Sequence, residues 1–195
     1  MRKFKILLGS ALLAAVAAAP SHAADFSFSG TIQYQKDVIK IPFTLLQDAT
    51  DVRVWTDSFH SGGNFDPITA VWKNGVIVGE NDDDSTIALG QTYYDSGLRF
   101  ANLSAGNYLF TIATFNNFAN GTHLNDGFRY DSQAAIPLAS WDQPANHVGM
   151  GPNWSVHLSG VDSATPPPVP EPESYAMLAA GLGLLAFVAR RKKQA

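Results

Sequence analysis

The 195-residue chain has no cysteine, so no disulfide braces it and no thiolate serves it as nucleophile or metal ligand. Basic residues are scarce between positions 24 and 169, where six Lys and Arg face fourteen Asp and one Glu. The net charge of that span is −9, which the basic ends of the chain reduce to −4 overall. Phosphate contacts need a basic surface, so nucleic acid is excluded as a partner. No window of the span carries a 3.6-residue apolar period with caps, which argues against a helical fold. Also missing are Gly-x-Ser-x-Gly, His-Glu-x-x-His and a phosphate-cradling Gly-Lys loop. His60, His123, His147 and His157 stand in separate segments with no metal-ligand spacing. With no nucleophile or base nominated, the chain is expected not to be an enzyme.

The ends of the chain carry addresses. Arg2, Lys3 and Lys5 precede an apolar run over 6–19, and Ser21, His22 and Ala23 offer small residues at −3 and −1. That is a signal peptide over 1–23, with signal peptidase as its processing partner. Fourteen helical residues span only ~21 Å, too little for a ~30 Å hydrocarbon core. At the other end, a Pro-rich spacer over 165–173 leads to an uncharged run over 174–189 and then Arg190, Arg191, Lys192 and Lys193. The run reads as a membrane-sorting helix within 174–195. Its cations stay on the cytoplasmic side, leaving the preceding domain outside.

Pro170, Glu171 and Pro172, the apolar helix and the basic end together resemble the PEP C-terminal sorting signal of Gram-negative bacteria. The resemblance implies processing at Pro170, Glu171 and Pro172 by exosortase, with transient anchoring of the tail in the inner membrane. It further implies a host that makes exopolysaccharide and biofilm, so exopolysaccharide is a candidate partner. A delivery route follows from the tail; an activity does not.

Between the addresses, residues 24–164 read as strands. Phe26, Phe28, Ile32 and Tyr34 alternate with polar residues, as do Ile39, Ile41, Phe43 and Leu45. The pattern recurs at Val52, Val54 and Thr56, at Tyr108, Phe110 and Ile112, and at Trp154, Val156 and Leu158. Eight or nine half-buried strands predict an all-β domain, an antiparallel two-sheet sandwich of jelly-roll type flanked by the signal and sorting helices. Pro42 predicts an edge or a bulge in its strand. Asn74-Gly75 predicts a type I′ hairpin whose paired positions sum to 149, setting Trp72 opposite Ile77, Val71 opposite Val78 and, at the open end, Asp66 opposite Asp83.

That open end gathers Asp66, Asn81, Asp82, Asp83 and Asp84, with Asp95 available to complete a shell. Like charges so close repel unless a cation sits among them, and oxygen donors of this kind suit calcium. A solvated acidic turn is the competing explanation. No Asp-x-Asp-x-Asp-Gly loop is present, so the arrangement is not an EF-hand. Trp141, in a loop with Asp142, Gln143 and Pro144, is a candidate for stacking on a sugar, or else packs over one end of the sandwich.

Phe65-Asp66-Pro67, Asn74-Gly75, the Asn81 to Asp84 cluster, Tyr94-Asp95-Ser96 and the stretch from Leu103 to Tyr108 follow in an order that resembles uncharacterised sorting-tail exoproteins. More distantly the order is similar to bacterial pre-peptidase C-terminal and collagen-binding sandwich domains. Those modules are non-catalytic, some bind calcium, and they are attached to secreted enzymes; no such enzyme domain accompanies this one. The expectation is an exported, non-enzymatic protein of the cell surface or extracellular matrix, stabilised by calcium, located in the cell envelope or outside the cell. The alternative is a carbohydrate- or protein-binding module using loop aromatics.

Overall fold

The computed structural model describes residues 24–145 and 149–167. The predicted signal peptide, the sorting tail with Pro170, Glu171 and Pro172, and His147 lie outside the described residues. Nine strands run in chain order: β1 (Ala24–Thr31), β2 (Ile39–Leu45), β3 (Ala49–Thr56), β4 (Pro67–Lys73), β5 (Val76–Asn81), β6 (Gly97–Leu103), β7 (Gly106–Thr114), β8 (Asn153–Val161) and β9 (Ser163–Ala164). Helix among the described residues is confined to three 3-10 turns.

The strands form two antiparallel sheets, a four-stranded one ordered β1-β8-β3-β6 and a five-stranded one ordered β5-β4-β7-β2-β9. The period-2 pattern explains the layering. Val52, Val54, Val156 and Leu158 from one sheet meet Ile41, Phe43, Phe110 and Ile112 from the other, all buried in one core. β4 is covered on both faces: Val71 joins that core, whereas Trp72 packs on the other side with Ala70 and Phe128. Trp72 satisfies its indole by donating from Nε1 to Thr111 Oγ1 at 3.0 Å.

Two expectations about the backbone change on inspection. β2 is not an edge, since β9 pairs with it at Phe43 and Thr44. Pro42 is nevertheless accommodated, because its carbonyl accepts from Thr165 N on the β9 side. A strand residue's N–H and C=O share one direction, so the missing donor of Pro42 points away from the β7 ladder, beyond the end of a two-residue neighbour.

The hairpin turn forms as predicted, with Asn74 and Gly75 at φ 52° and 77°. Lys73 faces Val76 and Trp72 faces Ile77, but a bulge then places Gly79 opposite Val71 and Glu80 opposite Ala70. Paired positions beyond it sum to 150, and the ladder stops at Thr69 and Asn81, so the direct pairing of Asp66 with Asp83 is corrected. The extra residue bends the strand and advances it by one position, which still carries Asp82 and Asp83 toward Asp66.

Candidate metal centre

Asp66 immediately precedes β4 and is 2 % exposed. Its backbone carbonyl accepts from Phe115 N at 2.8 Å, which ties the residue to the end of β7. Asp82 and Asp83 follow β5, half-buried and exposed respectively. One carboxylate oxygen from each of Asp66, Asp82 and Asp83 lies within 4.8 Å of the others. Oδ1 of Asp66 and Oδ1 of Asp82 are buried without a hydrogen-bond partner. Among the described residues this is the one such grouping of potential ligands.

The electrostatics follow from that geometry. Burial, and then the charges of Asp82, Asp83 and Asp95, push the Asp66 carboxyl up to about 8. Burial, then Asp83 and Glu80, push Asp82 up to about 6, and burial raises Asp83. Three carboxylates aimed at one point with unsatisfied oxygens form an acceptor-only cradle, with no His nitrogen or thiolate in it. A hard divalent cation meets that donor set; Zn²⁺ and Cu²⁺ prefer nitrogen or sulfur. Protons at raised pKa are the other way to relieve the repulsion.

The remaining predicted ligands are held elsewhere. Asn81 donates from Nδ2 to Gly97 O at 2.9 Å, and its own carbonyl accepts from Ser96 Oγ at 2.9 Å. Asp84 turns its Oδ1 back to Thr86 N and Thr86 Oγ1, at 2.8 and 2.6 Å. Asp95 is 0 % exposed and fully engaged. Its Oδ1 accepts from Thr56 Oγ1 and Phe59 N, and its Oδ2 from Thr92 N and Thr92 Oγ1. Asp95 is therefore a structural staple between two loops, acting on the site through its charge.

Trp141, the candidate for stacking on a sugar, is found packed in the core. It is 8 % exposed and packs edge-on to Tyr130 with ring centroids 5.9 Å apart. Among the described residues an exposed loop aromatic is Tyr93, at 57 %, on the loop between Asp84 and Asp95, backed by its neighbour Tyr94 and by Phe59 from the loop after β3.

One arrangement had no signal in the sequence. Ser27 Oγ lies 2.8 Å from His157 Nδ1, and His157 Nε2 lies 2.8 Å from Asp57 Oδ2. The second contact is close but misaligned, because Nε2 makes no hydrogen bond of acceptable angle. Ser27 and Trp55 are the cross-strand neighbours of His157, and Trp55 stacks on its ring at 5.1 Å. Pairing across the sheet accounts for the grouping, whereas acyl transfer requires an aligned relay.

The described part of the chain is thus a two-sheet, all-β protein with a buried acidic cradle at the open end of one hairpin. Residues 168–193 match the PEP-CTERM protein-sorting motif. The motif implies an exported protein, associated with the membrane and processed there by exosortase. No curated protein matches the chain.

Proposed function

We propose that this is a non-enzymatic β-sandwich protein of the cell surface or extracellular matrix, held in its folded form by Ca²⁺ at Asp66, Asp82 and Asp83. The observation that carries the reading is Asp66 Oδ1, buried and without a partner, beside two further carboxylates. Three carboxylates supply part of the six to eight oxygens calcium takes, and water completes the shell from the exposed Asp83 side. In this reading residues 1–23 are removed by signal peptidase and 174–195 anchor the precursor until exosortase acts.

A jelly roll is the architecture proposed for the sandwich, on the strand orders β1-β8-β3-β6 and β2-β7-β4-β5. These place the first strand beside the eighth and the second beside the seventh, as a rolled pair of antiparallel ribbons does. The misaligned Ser27, His157 and Asp57 contact supports the non-enzymatic part. Labelling of Ser27 by a fluorophosphonate would overturn that part and leave the cation untouched.

The test is calorimetric titration of the purified protein with CaCl2 and MgCl2 at pH 7, in two buffers of different ionisation enthalpy. One calcium is expected to bind per chain, releasing about one proton, because Asp66 is protonated at that pH and Asp82 largely is not. Magnesium, which holds its water and demands tight octahedral geometry, is expected to bind far more weakly. Absence of calcium heat up to millimolar concentrations would leave the cluster as a proton-holding turn.

A second reading, a carbohydrate-binding module, is favoured by the exposed Tyr93 beside the same loop. It requires glycan retention that Tyr93→Ala abolishes and Trp141→Phe does not.

A further inference from the structure

The loop between β5 and β6 uses its hydrogen bonds to hold an apolar tip out in water. Asp84 N donates to Asp95 O at 2.8 Å and closes the base of the loop. Farther along, Thr86 N donates to Asp84 Oδ1, Ala88 N to Gln91 Oε1, and Gln91 Nε2 to Ser96 O. Ile87 is buried next to Gly97, where a Cβ would lie 3.0 Å from Ile87 Cγ1. Leu89, two residues on, is fully exposed, and Tyr93 stands exposed against Phe59 and Tyr94. Isolated exposed leucines are common on proteins, but this one sits in a turn whose bonds hold it away from the core.

We propose that this loop docks on an anionic phospholipid surface, with Leu89 and Tyr93 entering the interface while Ca²⁺ at Asp66, Asp82 and Asp83 bridges to the headgroups. Such docking rests on the cation site proposed above and supplies that site with a partner. The route of the chain brings this end of the sandwich toward a membrane. Ile39, Ile112, Thr69 and Asn81 form one row across the five-stranded sheet, and Asp82 and the loop follow from the end of that row. β9 runs antiparallel to β2 and so heads toward the same row, and Pro166 and Pro167 border a groove with Ile39, Thr31 and Pro152. The sorting motif, which implies membrane association, begins at the next residue. The described chain thus leaves the domain toward the end that carries the cradle and the loop.

Charge and side-chain chemistry select lipid as the partner. Residues 82–95 hold four Asp and no Lys or Arg, so anionic headgroups repel the bare loop. Calcium takes six to eight oxygens, and the three carboxylates supply only part of them. On the exposed Asp83 side, headgroup phosphate oxygens take the place of water in the shell. Leucine gains from entering hydrocarbon, and tyrosine settles at the headgroup level, where its ring is dry and its hydroxyl wet. A sugar, by contrast, finds neither a ring face nor a hydrogen bond on leucine.

The test uses the full-length protein in nanodiscs of phosphatidylcholine and phosphatidylglycerol, where the absence of native cysteine allows one label at a time. An environment-sensitive fluorophore is attached at Ala88→Cys, beside Leu89, or at Thr50→Cys, exposed at the far end of β3, and nitroxide-bearing lipid is the quencher. In calcium the label at 88 is expected to shift its emission to the blue and to be quenched severalfold more than the label at 50. Chelator should reverse both changes. Leu89→Asp should abolish the quenching while the calcium-dependent rise in melting temperature stays, whereas Asp83→Ala should abolish both. A label at 88 that remains aqueous in calcium, in a protein whose melt still responds to calcium, would overturn the docking and leave the cation site standing. Equal quenching in calcium and in chelator would overturn the bridge to the headgroups. A protein indifferent to calcium in both readouts would remove the cation site and the docking together.

Discussion

Asp66→Asn is expected to raise the melting temperature of the protein in chelator at neutral pH and to erase its response to calcium. The wild-type carboxyl is 2 % exposed, has an orphan oxygen and has its pKa lifted from 3.8 to about 8. Folding at pH 7 therefore forces Asp66 to take up a proton it would not hold in the unfolded chain. Over the ~3 units between 3.8 and pH 7, at ~1.4 kcal/mol per unit, that penalty is on the order of 4 kcal/mol, and the neutral, nearly isosteric amide avoids it. For a chain of this size the gain amounts to roughly 8–16 °C. Calcium at a hundredfold excess over Kd stabilises the wild type by about 2.7 kcal/mol, a rise of similar size that the variant loses. Asp83→Ala is exposed enough to leave the chelator melt nearly unchanged while losing the same calcium gain. A wild type indifferent to calcium, or an Asp66→Asn protein less stable in chelator, would remove the cation from the account.

The second large effect is on pH. Between pH 4 and 8 the native state holds protons on Asp66 and Asp82 that the unfolded chain has released, since their pKa values stand at about 8 and about 6 instead of 3.8. Stability varies with pH as the protons bound by the unfolded state minus those bound by the native state, so the slope is negative there. In chelator the melting temperature should fall as pH rises from 4 to 8 and level off above. Asp51, held down to about 2 by its hydrogen bonds to Arg53 and Arg99, contributes the opposite slope, but only below the ordinary carboxylate pKa. Saturating calcium displaces the protons, so in its presence the fall should vanish and the calcium-dependent gain should grow toward pH 8. Melts at half-unit pH steps, with and without calcium, measure both curves. A chelator curve that rises through this window is incompatible with a carboxyl buried as Asp66 is.

Local chemistry made much of this legible in the sequence. The alternation at Ile39, Ile41 and Phe43 names a strand because a pleat exposes and buries successive residues, and those three are indeed edge-wise neighbours in the core or packed on it. Asn74-Gly75 names its turn through the left-handed backbone both residues adopt. The bulge beyond Trp72 escaped because one inserted residue changes a register without changing composition. Asp95 reads as a ligand because it precedes the strand around Leu98 and Phe100, which can return it to the acidic cluster, whereas Thr56 and Phe59, which claim one of its oxygens, lie 39 and 36 residues away. Trp141 sits in loop-like sequence, yet its burial depends on Tyr130 arriving from another turn. Ser27 and His157 are 130 residues apart, and only sheet order brings them together.

That sheet order also governs when the protein is able to become itself. β1, the first strand to emerge from a membrane when a chain is threaded outward from its N-terminal end, has β8 as its sole sheet partner among the described residues. Its first residue, Ala24, pairs with Val161. β1 is thus exported early and left without its sheet partner until the last long strand arrives, whereas β2 to β7 find partners among themselves, and a contact of such separation forms slowly because the whole loop must close first. The four-stranded sheet cannot lock on the wrong side of the membrane in a chain that is still in transit. Its topology is a timer, which delays the β1–β8 seam until nearly all of the domain has crossed.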